Sequence, residues 1–259
     1  MYIMIKVIKI GGNVIDNASA LEAFQGDFAR MQGSKILIHG GGKIATQISQ
    51  KLGIETVMVG GRRVTDRPTL DVVTMVYAGL INKNMVAALQ SHGCNAIGLS
   101  GADAGSILSH KRITKDVDYG YVGDVDSVGA ESIKKLTDAG FTPVFCAITH
   151  DGKGTLLNTN ADTVASSVAR GMATLEDVEL IFCFEKDGVL SSPDDDTSVI
   201  PHIDTAIYAS LKESGVISGG MLPKMENAFA ALKAGVKKVI ITSPAYITDQ
   251  SVPHTEIVL

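Results

Sequence analysis

In Ile5-Lys6-Val7-Ile8-Lys9-Ile10-Gly11-Gly12, a β-branched apolar run ends in two glycines. Such a run is typical of a buried parallel strand that stops at a tight turn. Lys9 does not fit that strand, because an amine near its carboxyl end is costly to bury without an anion. Ligands of open α/β sheets bind at this end of the strands. These residues leave two alternatives open: Lys9 meets a bound anion, or it extends to solvent at a strand edge.

The composition is that of an ordinary soluble globular protein of 259 residues, 45% of them hydrophobic and 20% charged. This length allows one large domain or two lobes. The net charge of −5 argues against nucleic acid as the main partner, because phosphate binding usually needs a basic face. We find no run of the ~20 apolar residues that a membrane span needs and no export leader. We therefore expect a cytoplasmic protein that binds no membrane.

The cysteines Cys94, Cys146 and Cys183 are far apart in the sequence and lie in apolar surroundings. They form no CxxC pair of the kind that binds metals or acts in redox chemistry. We expect them to be reduced and buried, as in a cytosolic protein.

A second glycine loop, His39-Gly40-Gly41-Gly42, follows a predicted strand at residues 35–38 and precedes a predicted helix at 43–52. This arrangement aims backbone N–H groups and a helix N-terminus at an anion. The loop matches the loose dinucleotide pattern G-x-G-x-x-A, but no acidic residue follows ~20 positions later at the end of a next strand. The ATP P-loop pattern is absent, so any ATP must be bound in another way.

Other segments predict further elements around these two loops. Residues 20–31 have helical spacing with Ser19 as a plausible cap, and residues 71–90 form a long helix suited to packing or dimer contacts. Residues 55–64 indicate a short extended or hairpin region. Residues 106–126 predict an antiparallel hairpin inserted in the main sheet, as a lid, a substrate wall or an edge ribbon. Residues 252–258 indicate a last edge strand.

Several polar and charged residues are not explained by the formation of these helices and strands. Arg62 and Arg63 offer a donor fork for a carboxylate, or are a solvated surface pair. Asn158, Asn160 and Asp162 alternate ahead of a helix predicted at 165–172, so an extended segment would place all three on one face. One of them also suits a helix cap. Lys224 lies in the first turns of a helix at 219–234, where a cation is disfavoured unless an anion shares the site.

Strands and helices alternate along the chain, which predicts an α/β fold with a mainly parallel central sheet. Six motifs occur in an order and at separations that resemble those of the amino acid kinase family, in its acylglutamate kinase branch. The resemblance covers essentially the whole chain. The motifs are Lys9-Ile10-Gly11-Gly12, His39-Gly40-Gly41-Gly42, Arg63-Val64-Thr65, Tyr121-Val122-Gly123-Asp124-Val125, Asn158-x-Asn160-Ala161-Asp162 and Gly219-Gly220-Met221-x-x-Lys224.

The resemblance implies a homodimer of three-layer αβα sandwich subunits that works in arginine biosynthesis. Residues 1–175 would form a lobe for acylglutamate binding and dimerisation, and residues 176–259 a lobe for ATP, with Mg²⁺ held mainly by the nucleotide phosphates. The γ-phosphoryl group of ATP would move to the side-chain carboxylate of N-acetylglutamate, the family default, or of N-succinylglutamate. Another carboxylate or carbamate kinase, or a non-catalytic amino-acid or nucleotide sensor with this fold, is the alternative.

The resemblance also assigns roles to individual positions. The implied catalytic residues are Lys9, Lys224 and Asp162. The implied substrate-binding residues are Gly41, Gly42, Arg63, Asn158 and Asn160. The implied nucleotide-binding residues are Gly11, Gly12, Glu185, Lys186, Gly188, Gly219, Gly220 and Met221.

Two departures from the family pattern carry expectations of their own. Glu185-Lys186-Asp187-Gly188 stands where relatives usually carry Asp-Val-x-Gly, so Lys186 either reaches the ATP phosphates or is solvated. The chain also lacks the N-terminal extension helix of arginine-inhibited relatives. We therefore expect a dimer without feedback inhibition by arginine.

Overall fold

The computed structural model of the protein describes residues 4–60, 62–192 and 194–259. Within these ranges the α-helices are α1 (Gly12–Asp16), α2 (Ala18–Arg30), α3 (Gly42–Lys51), α4 (Arg67–Thr74), α5 (Asn82–Ser91), α6 (Ala130–Asp138), α7 (Ala161–Met172), α8 (Thr205–Glu213) and α9 (Met221–Lys233). A π-helical segment (Met75–Ile81) joins α4 to α5. The strands are β1 (Ile5–Ile10), β2 (Lys35–His39), β3 (Met58–Val59), β4 (Arg62–Arg63), β5 (Ala96–Leu99), β6 (Ile107–Lys111), β7 (Gly123–Val128), β8 (Thr142–Cys146), β9 (Ile148–His150), β10 (Leu156–Asn158), β11 (Val178–Cys183), β12 (His202–Ile203), β13 (Lys238–Thr242) and β14 (Thr255–Ile257).

The main sheet has eight described strands in the order β12-β14-β13-β11-β1-β2-β8-β5. Strand β1 lies inside it and pairs in parallel with β11 on one side and β2 on the other. Only β12 and β14 run against the other six, since β14 is antiparallel to β13 and parallel to β12. The predicted α/β fold with a mainly parallel sheet is confirmed. The prediction of a last edge strand is wrong, because β14 lies inside the sheet and β12 is its edge.

Helices cover both faces of the main sheet, which gives three layers. Ile5 and Val7 of β1 pack into a core with residues of α6, α7 and α9. Ile8 and Ile10 pack into a second core with residues of α2, α4 and α5. Because alternate side chains of a strand point to opposite faces, Lys9 shares the face of Ile5 and Val7. The register of β1 therefore aims Lys9 at α7 and α9.

The long helix predicted at residues 71–90 is present as α4, the π-helical segment and α5, which form one helix over Arg67–Ser91. It begins earlier because the Asp66 side chain accepts from the backbone N–H of Thr69. By length and composition alone it could cross a membrane, since it has 25 residues and contains an 18-residue stretch with a mean hydropathy of 1.4. Asp71 and Lys83 interrupt it, so it is not the unbroken run of apolar residues that the sequence analysis looked for. Length and composition alone are weak evidence for a span, and Val73 and Leu89 lie in the core.

The predicted hairpin at residues 106–126 is present as β6 and β7, which pair antiparallel. It is not inserted in the main sheet. It belongs to a separate four-stranded sheet of order β10-β9-β6-β7, and strands β3 and β4 form a small hairpin of their own. Gly61, which precedes β4 in the sequence, lies outside the described residues. Isolated bridges join Thr65 to Gly120 and Val122 to Asn158, so the long hairpin lies against the residues around Arg63.

Two helix starts differ from the sequence predictions. Helix α2 is capped by Asn17, whose side chain accepts from the backbone N–H of Ala20 at 3.1 Å, so the prediction of Ser19 as the cap is wrong. Helix α7 begins at Ala161 instead of 165, because Asn160 caps it. The division into lobes at residue 175 stays a prediction, since the main sheet takes strands from both sides of that point.

Candidate active site

Three charged side chains meet beside the carboxyl end of β1. The Lys9 Nζ lies 2.8 Å from the Asp162 Oδ1. The Lys224 Nζ lies 3.3 Å from each carboxylate oxygen of Asp162. The three predicted catalytic residues are therefore brought together as one cluster, which we call the charge triad. Its formal charges sum to one positive charge, so it is suited to attract an anion.

Local structure explains how the three side chains converge. Lys9 projects from β1 toward the face that α7 and α9 cover. Asp162 is the second residue of α7, because Asn160 accepts from the N–H groups of Asp162 and Thr163 and so starts the helix. The prediction that Asn158, Asn160 and Asp162 share one face of an extended segment is therefore wrong. Lys224 is the fourth residue of α9, in its first turn.

The triad is almost dry: the exposed fractions of Lys9, Asp162 and Lys224 are 9%, 9% and 7%. Burial raises the pKa of Asp162, but the positive charges of Lys9 and Lys224 outweigh burial and lower that pKa to about 2. The pKa of Lys224 is lowered by burial, with Asp162 acting to raise it and Lys9 acting to lower it. Asp162 thus offsets the repulsion between the lysines without restoring Lys224 to its ordinary pKa.

Aromatic rings complete the surroundings of Lys224. Its Nζ lies 5.0 Å from the ring centroid of Phe182 and 5.8 Å from that of Phe184. A cation over an aromatic face is attracted by the ring quadrupole. The rings therefore supply part of the stabilisation that Lys224 loses with its water.

A cleft of about 210 Å³ lies beside the triad, and Ala161, the neighbour of Asp162, is part of its wall. All five predicted substrate-binding residues line it: Gly41, Gly42, Arg63, Asn158 and Asn160. The glycine loop after β2, the β3–β4 hairpin and the start of α7 therefore enclose one space. This space is concave and polar, as expected for a small charged ligand.

Arg63 is buried in this cleft and is partly committed to the protein itself. Its Nη2 donates to the carbonyl oxygen of Gly42 at 2.9 Å and to the Oγ1 of Thr46 at 2.8 Å. Its Nη1 donates to the Oγ1 of Thr56 at 3.2 Å. A carboxylate that takes both Nη atoms must replace one of the Nη2 contacts.

The two asparagines in the wall are held differently. The Asn158 Nδ2 donates to the Oγ1 of Thr65 at 3.0 Å, which ties β10 to the segment after Arg63. Asn160 uses its Oδ1 to cap α7, and its amide nitrogen has no hydrogen-bond acceptor among the described residues. Asn160 thus keeps a donor for a ligand while it sets the start of the helix that carries Asp162.

The predicted nucleotide-binding residues follow β1 and β11 or open α9. Gly11 and Gly12 follow β1 directly, and the Gly11 N–H donates to the Cys183 carbonyl oxygen at 2.9 Å. The residues 219–221 open α9, which carries Lys224, and Gly219 has a φ of +52°. The predicted residues Glu185, Lys186 and Gly188 follow the end of β11, whose Cys183 pairs with Ile10 of β1.

Two residues of that loop have structural partners. The Lys186 Nζ lies 2.5 Å from the Oδ1 of Asp196, an exposed residue ten positions later in the chain. A Cβ at Gly188 would come within 2.6 Å of the Val199 side chain and 2.7 Å of the Thr255 Oγ1. Packing alone therefore requires glycine at 188, whatever its role toward a nucleotide.

The structure adds cleft residues that the sequence analysis did not assign. Tyr77 comes from the π-helical segment, and burial raises the pKa of its hydroxyl while the charge of Arg63 acts against that rise. Helical spacing does not reveal this residue, because the π-helical turn shifts its direction. Gly41 has a φ of +148°, and a Cβ there would overlap the Ile81 side chain of the same segment. The other unassigned wall residues are Gly40, Met58, Arg62, Val122, Ala147 and Thr159.

The model of the amino acid kinase family matches residues 4–243. The chain belongs to the amino acid kinase family. An acetylglutamate kinase of Cytophaga hutchinsonii is 56% identical over 236 residues, which are 91% of this chain and 89% of that protein. One of Phocaeicola vulgatus is 52% identical over 245 residues, 95% of each chain. One of Methanopyrus kandleri is 41% identical over 242 residues, 92% of this chain and 94% of that protein. Within the family, the chain lies in the acetylglutamate kinase branch.

Several solved structures share the fold. A Streptococcus mutans protein superposes with a TM-score of 0.79 at 26% identity, over 98% of each chain. N-acetylglutamate synthase of Neisseria gonorrhoeae matches 99% of this chain and 59% of its own, with a TM-score of 0.84 and 20% identity. Carbamate kinase of Giardia lamblia matches 98% of each chain with a TM-score of 0.72 and 18% identity. At 18% and 20% identity these last two likenesses show the fold alone.

The triad predicts an acid-dependent stability that Asp162→Asn should remove. The pKa of Asp162 is about 2 in the folded protein and ordinary in the unfolded chain. The carboxylate therefore stabilises the fold above pH ~4, and this contribution, on the order of 2 kcal/mol, is lost as the pH falls to ~2. In urea titrations, Asp162→Asn should lack this acid-dependent part. At pH 7 it should be less stable by about 3–5 kcal/mol, because two buried ammonium groups lose their partner.

Asp71→Asn is the matched control, because it removes an exposed carboxylate that pairs with Arg67. Its free energy of unfolding should stay within about 0.5 kcal/mol of that of the unchanged protein. Equal effects of the two substitutions at pH 7 would contradict the role assigned to Asp162.

Proposed function

We propose that the protein transfers the γ-phosphoryl group of ATP to the side-chain carboxylate of N-acetyl-L-glutamate, a step of arginine biosynthesis, and yields an acyl phosphate. The observation that carries the proposal is the buried Lys9–Asp162–Lys224 triad beside a cleft lined by Arg63 and glycine N–H groups. A cleft with an arginine suits a substrate carboxylate. A dry, positively charged triad suits a phosphoryl group in transfer.

The chemistry needs positioning and charge neutralisation more than proton transfer. A carboxylate is already ionised at pH 7, so the nucleophile needs no general base. Two anions must instead be brought into line while charge on the transferring group is stabilised. Lys9 from β1 and Lys224 from α9 hold two ammonium groups on one carboxylate, so they are oriented before substrates bind. Low exposure strengthens their attraction for the phosphoryl oxygens.

The α-carboxylate of the substrate would bind Arg63, with Gly41 and Gly42 at the N-terminus of α3 supplying backbone N–H groups. The first N–H groups of a helix have no partner within it, so they suit an anion. Asn158 and Asn160 would contact the acylamino part through their free amide hydrogens. This orientation sends the side-chain carboxylate toward Asp162 and its lysines.

ATP would lie on the other side of the triad, with its phosphates against Gly11, Gly12 and the residues 219–221. The residues 185–188 would line its base or ribose. Mg²⁺ would be held mainly by the nucleotide phosphates, because Asp162 is already shared between two lysines and the described residues contain no cluster of three potential metal ligands. When bound, the metal would neutralise part of the phosphate charge. The homodimer, the cytoplasmic location and insensitivity to arginine stay predictions.

Two other functions fit less well. Carbamate kinase shares the fold, but its small substrate has no second carboxylate for Arg63. A non-catalytic sensor would need a ligand cleft but not two lysines converging on one buried carboxylate.

The direct test is trapping of the acyl phosphate with hydroxylamine in the presence of Mg-ATP. N-acetylglutamate should yield a hydroxamate and free glutamate should yield little, since it lacks the acyl group that the cleft encloses. ATP consumption measured in parallel should match hydroxamate formed. Absence of hydroxamate with every acylglutamate offered would contradict the proposed reaction.

Substitutions in the triad and in the cleft should separate chemistry from binding. Lys9→Ala should lower kcat by about 100- to 1,000-fold with little change in the acylglutamate KM, because its partner is the transferring group. Arg63→Ala should raise the acylglutamate KM by about 10- to 100-fold, because it loses a charge-assisted contact to the substrate. Steady-state kinetics with both substrates measures the two effects. The reverse pattern would show that the two sites are exchanged.

A second candidate substrate is favoured by one observation, the state of Arg62. Arg62 is half-buried in the wall of the same cleft, and no described residue offers it a hydrogen-bond acceptor or a salt bridge. Its pKa is lowered by burial and by Arg112, with Asp124 acting to raise it. N-acetylglutamate has two carboxylates, one for Arg63 and one for the phosphoryl group. A third carboxylate, as in N-succinylglutamate, would give Arg62 a partner.

Arg62→Gln tests this second candidate. If Arg62 binds a carboxylate on the acyl group, kcat/KM for N-succinylglutamate should fall by about 10- to 100-fold. The value for N-acetylglutamate should change by less than about threefold. Arg67→Gln, which removes an exposed arginine near the same hairpin, should change neither value. Equal losses for the two substrates would exclude a role of Arg62 in acyl selection.

A further inference from the structure

Next to the glycine loop lies a buried polar pair that does not line the cleft. His39, the last residue of β2, and Asn82, the first residue of α5, are both fully buried. The Asn82 Nδ2 lies 3.0 Å from the His39 Nε2 and 2.9 Å from the Val144 carbonyl oxygen. The His39 Nδ1 lies 2.8 Å from the carbonyl oxygen of Gly40, the first glycine of the loop.

Chemistry fixes the direction of every hydrogen bond in this group. The carbonyl of Val144 can only accept, so the Asn82 atom beside it is the NH₂ group. The other end of the amide is the oxygen, because the Lys83 Nζ donates to it at 3.1 Å. The second hydrogen of the NH₂ group then points at the His39 Nε2, which must accept. The imidazole proton therefore lies on Nδ1, which donates to the Gly40 carbonyl.

Gly98 of β5 leaves room for this arrangement. A Cβ at Gly98 would overlap the Asn82 Oδ1 and come within 2.7 Å of the Lys83 Nζ. The Lys83 Nζ also donates to the Gly98 carbonyl oxygen at 3.0 Å. The amide of Asn82 is thus held from three sides, and it cannot turn over without leaving Lys83 and Val144 with mismatched partners.

The groups facing His39 keep it neutral. They are Lys83 from α5, whose charge acts on His39, and Cys146 from β8, its partner in the sheet register. Burial lowers the pKa of His39 to about 4, the bond to Gly40 acts to raise it, and Lys83 acts to lower it. Burial raises the pKa of the Cys146 thiol to about 12. Near pH 7, His39 therefore binds Gly40 as a neutral Nδ1–H imidazole.

We infer that His39 and Asn82 are positioning residues that set the conformation of the substrate-binding glycine loop, with Asn82 dictating the imidazole tautomer that holds the Gly40 carbonyl. Holding that carbonyl inward leaves the N–H groups of Gly41 and Gly42 for the ligand. The φ of +148° at Gly41 and its contact with Ile81 fix the next residue from the same helix. This inference rests on the proposed function, because it assigns the loop to the acylglutamate.

Asn82→Asp tests the tautomer argument through pH. Aspartate oxygens only accept, so the His39 Nε2 must then carry a proton. Beside this carboxylate the pKa of His39 rises, and below that pKa the imidazolium still donates from Nδ1 to Gly40. Above it one proton is lost, and the contacts to the new carboxylate and to Gly40 can no longer both be kept. The acylglutamate KM of the variant should therefore rise on the order of tenfold from pH 6 to 9 relative to the unchanged protein.

The matched control is Asn84→Asp, which adds the same charge at an exposed position of α5. Its KM should follow the unchanged protein at every pH. A flat ratio for Asn82→Asp as well would overturn the inference, since a merely structural role predicts a loss that does not depend on pH.

A second measurement needs no variant and stands if Asn82→Asp does not fold. With ¹⁵N-labelled histidine, NMR of the unchanged protein should show His39 as the Nδ1–H tautomer from pH 6 to 9. An Nε2–H tautomer or an imidazolium there would overturn the inference. Absence of hydroxamate in the hydroxylamine assay would contradict the proposed function. The NMR result does not depend on that assay, because it reports only the tautomer of His39.

Discussion

The carboxylate of Asp162 holds two buried ammonium groups that come from opposite ends of the chain, and the rest of the structure depends on this contact. A lysine without a counter-ion would be too costly at the end of a central strand. The order of the sheet places β1 beside β11, and the register of β1 turns Lys9 toward α7 and α9. Asn160 caps α7 two residues before Asp162, so this cap fixes the position of the Asp162 carboxylate in the first turn of the helix. Fold and charge are therefore determined together.

The glycine loop after β2 shows a second constraint, in which the long helix shapes the site from behind. Its π-helical segment brings Tyr77 into the cleft wall and Ile81 against Gly41. Its next residue, Asn82, reaches His39. The π-helical segment and the residue after it therefore place three side chains, those of Tyr77, Ile81 and Asn82, near the glycine loop. Such π-helical turns occur frequently at functional sites. Rigidity at this loop comes from packing and hydrogen bonds, and Arg63 adds a bond to the Gly42 carbonyl.

The sequence predicts the parallel sheet and the glycine loops, because short apolar runs and glycines are local signals. The meeting of Lys9, Asp162 and Lys224 is predicted only by the resemblance of six ordered motifs to the amino acid kinase family. The sequence does not predict what depends on distant residues. The residues near position 255 do not predict that β14 lies inside the sheet, because this depends on its pairing with β12 and β13. Asparagine and serine are equally common as helix N-caps, so the sequence does not distinguish Asn17 from Ser19 as the cap. The structure does, because α2 begins at Ala18. From the sequence, Arg62 is either part of a donor fork for a carboxylate or half of a solvated pair, and the structure places it in the cleft wall. Tyr77 escapes prediction because the π-helical segment changes the helical period.

The interior place of β1 has a consequence for how the chain is made. The partner β2 lies within 30 residues of β1 in the sequence, but the other partner, β11, is made only at residues 178–183. Until β11 is in place, the backbone N–H and C=O groups on the edge of β1 that pairs with β11 are unpaired and can hydrogen-bond to a strand of another molecule. Closing that edge is a contact of high sequence separation, which slows folding. Lys6 and Lys9 give this strand two like charges, and charges on an unpaired strand disfavour its pairing with a second copy.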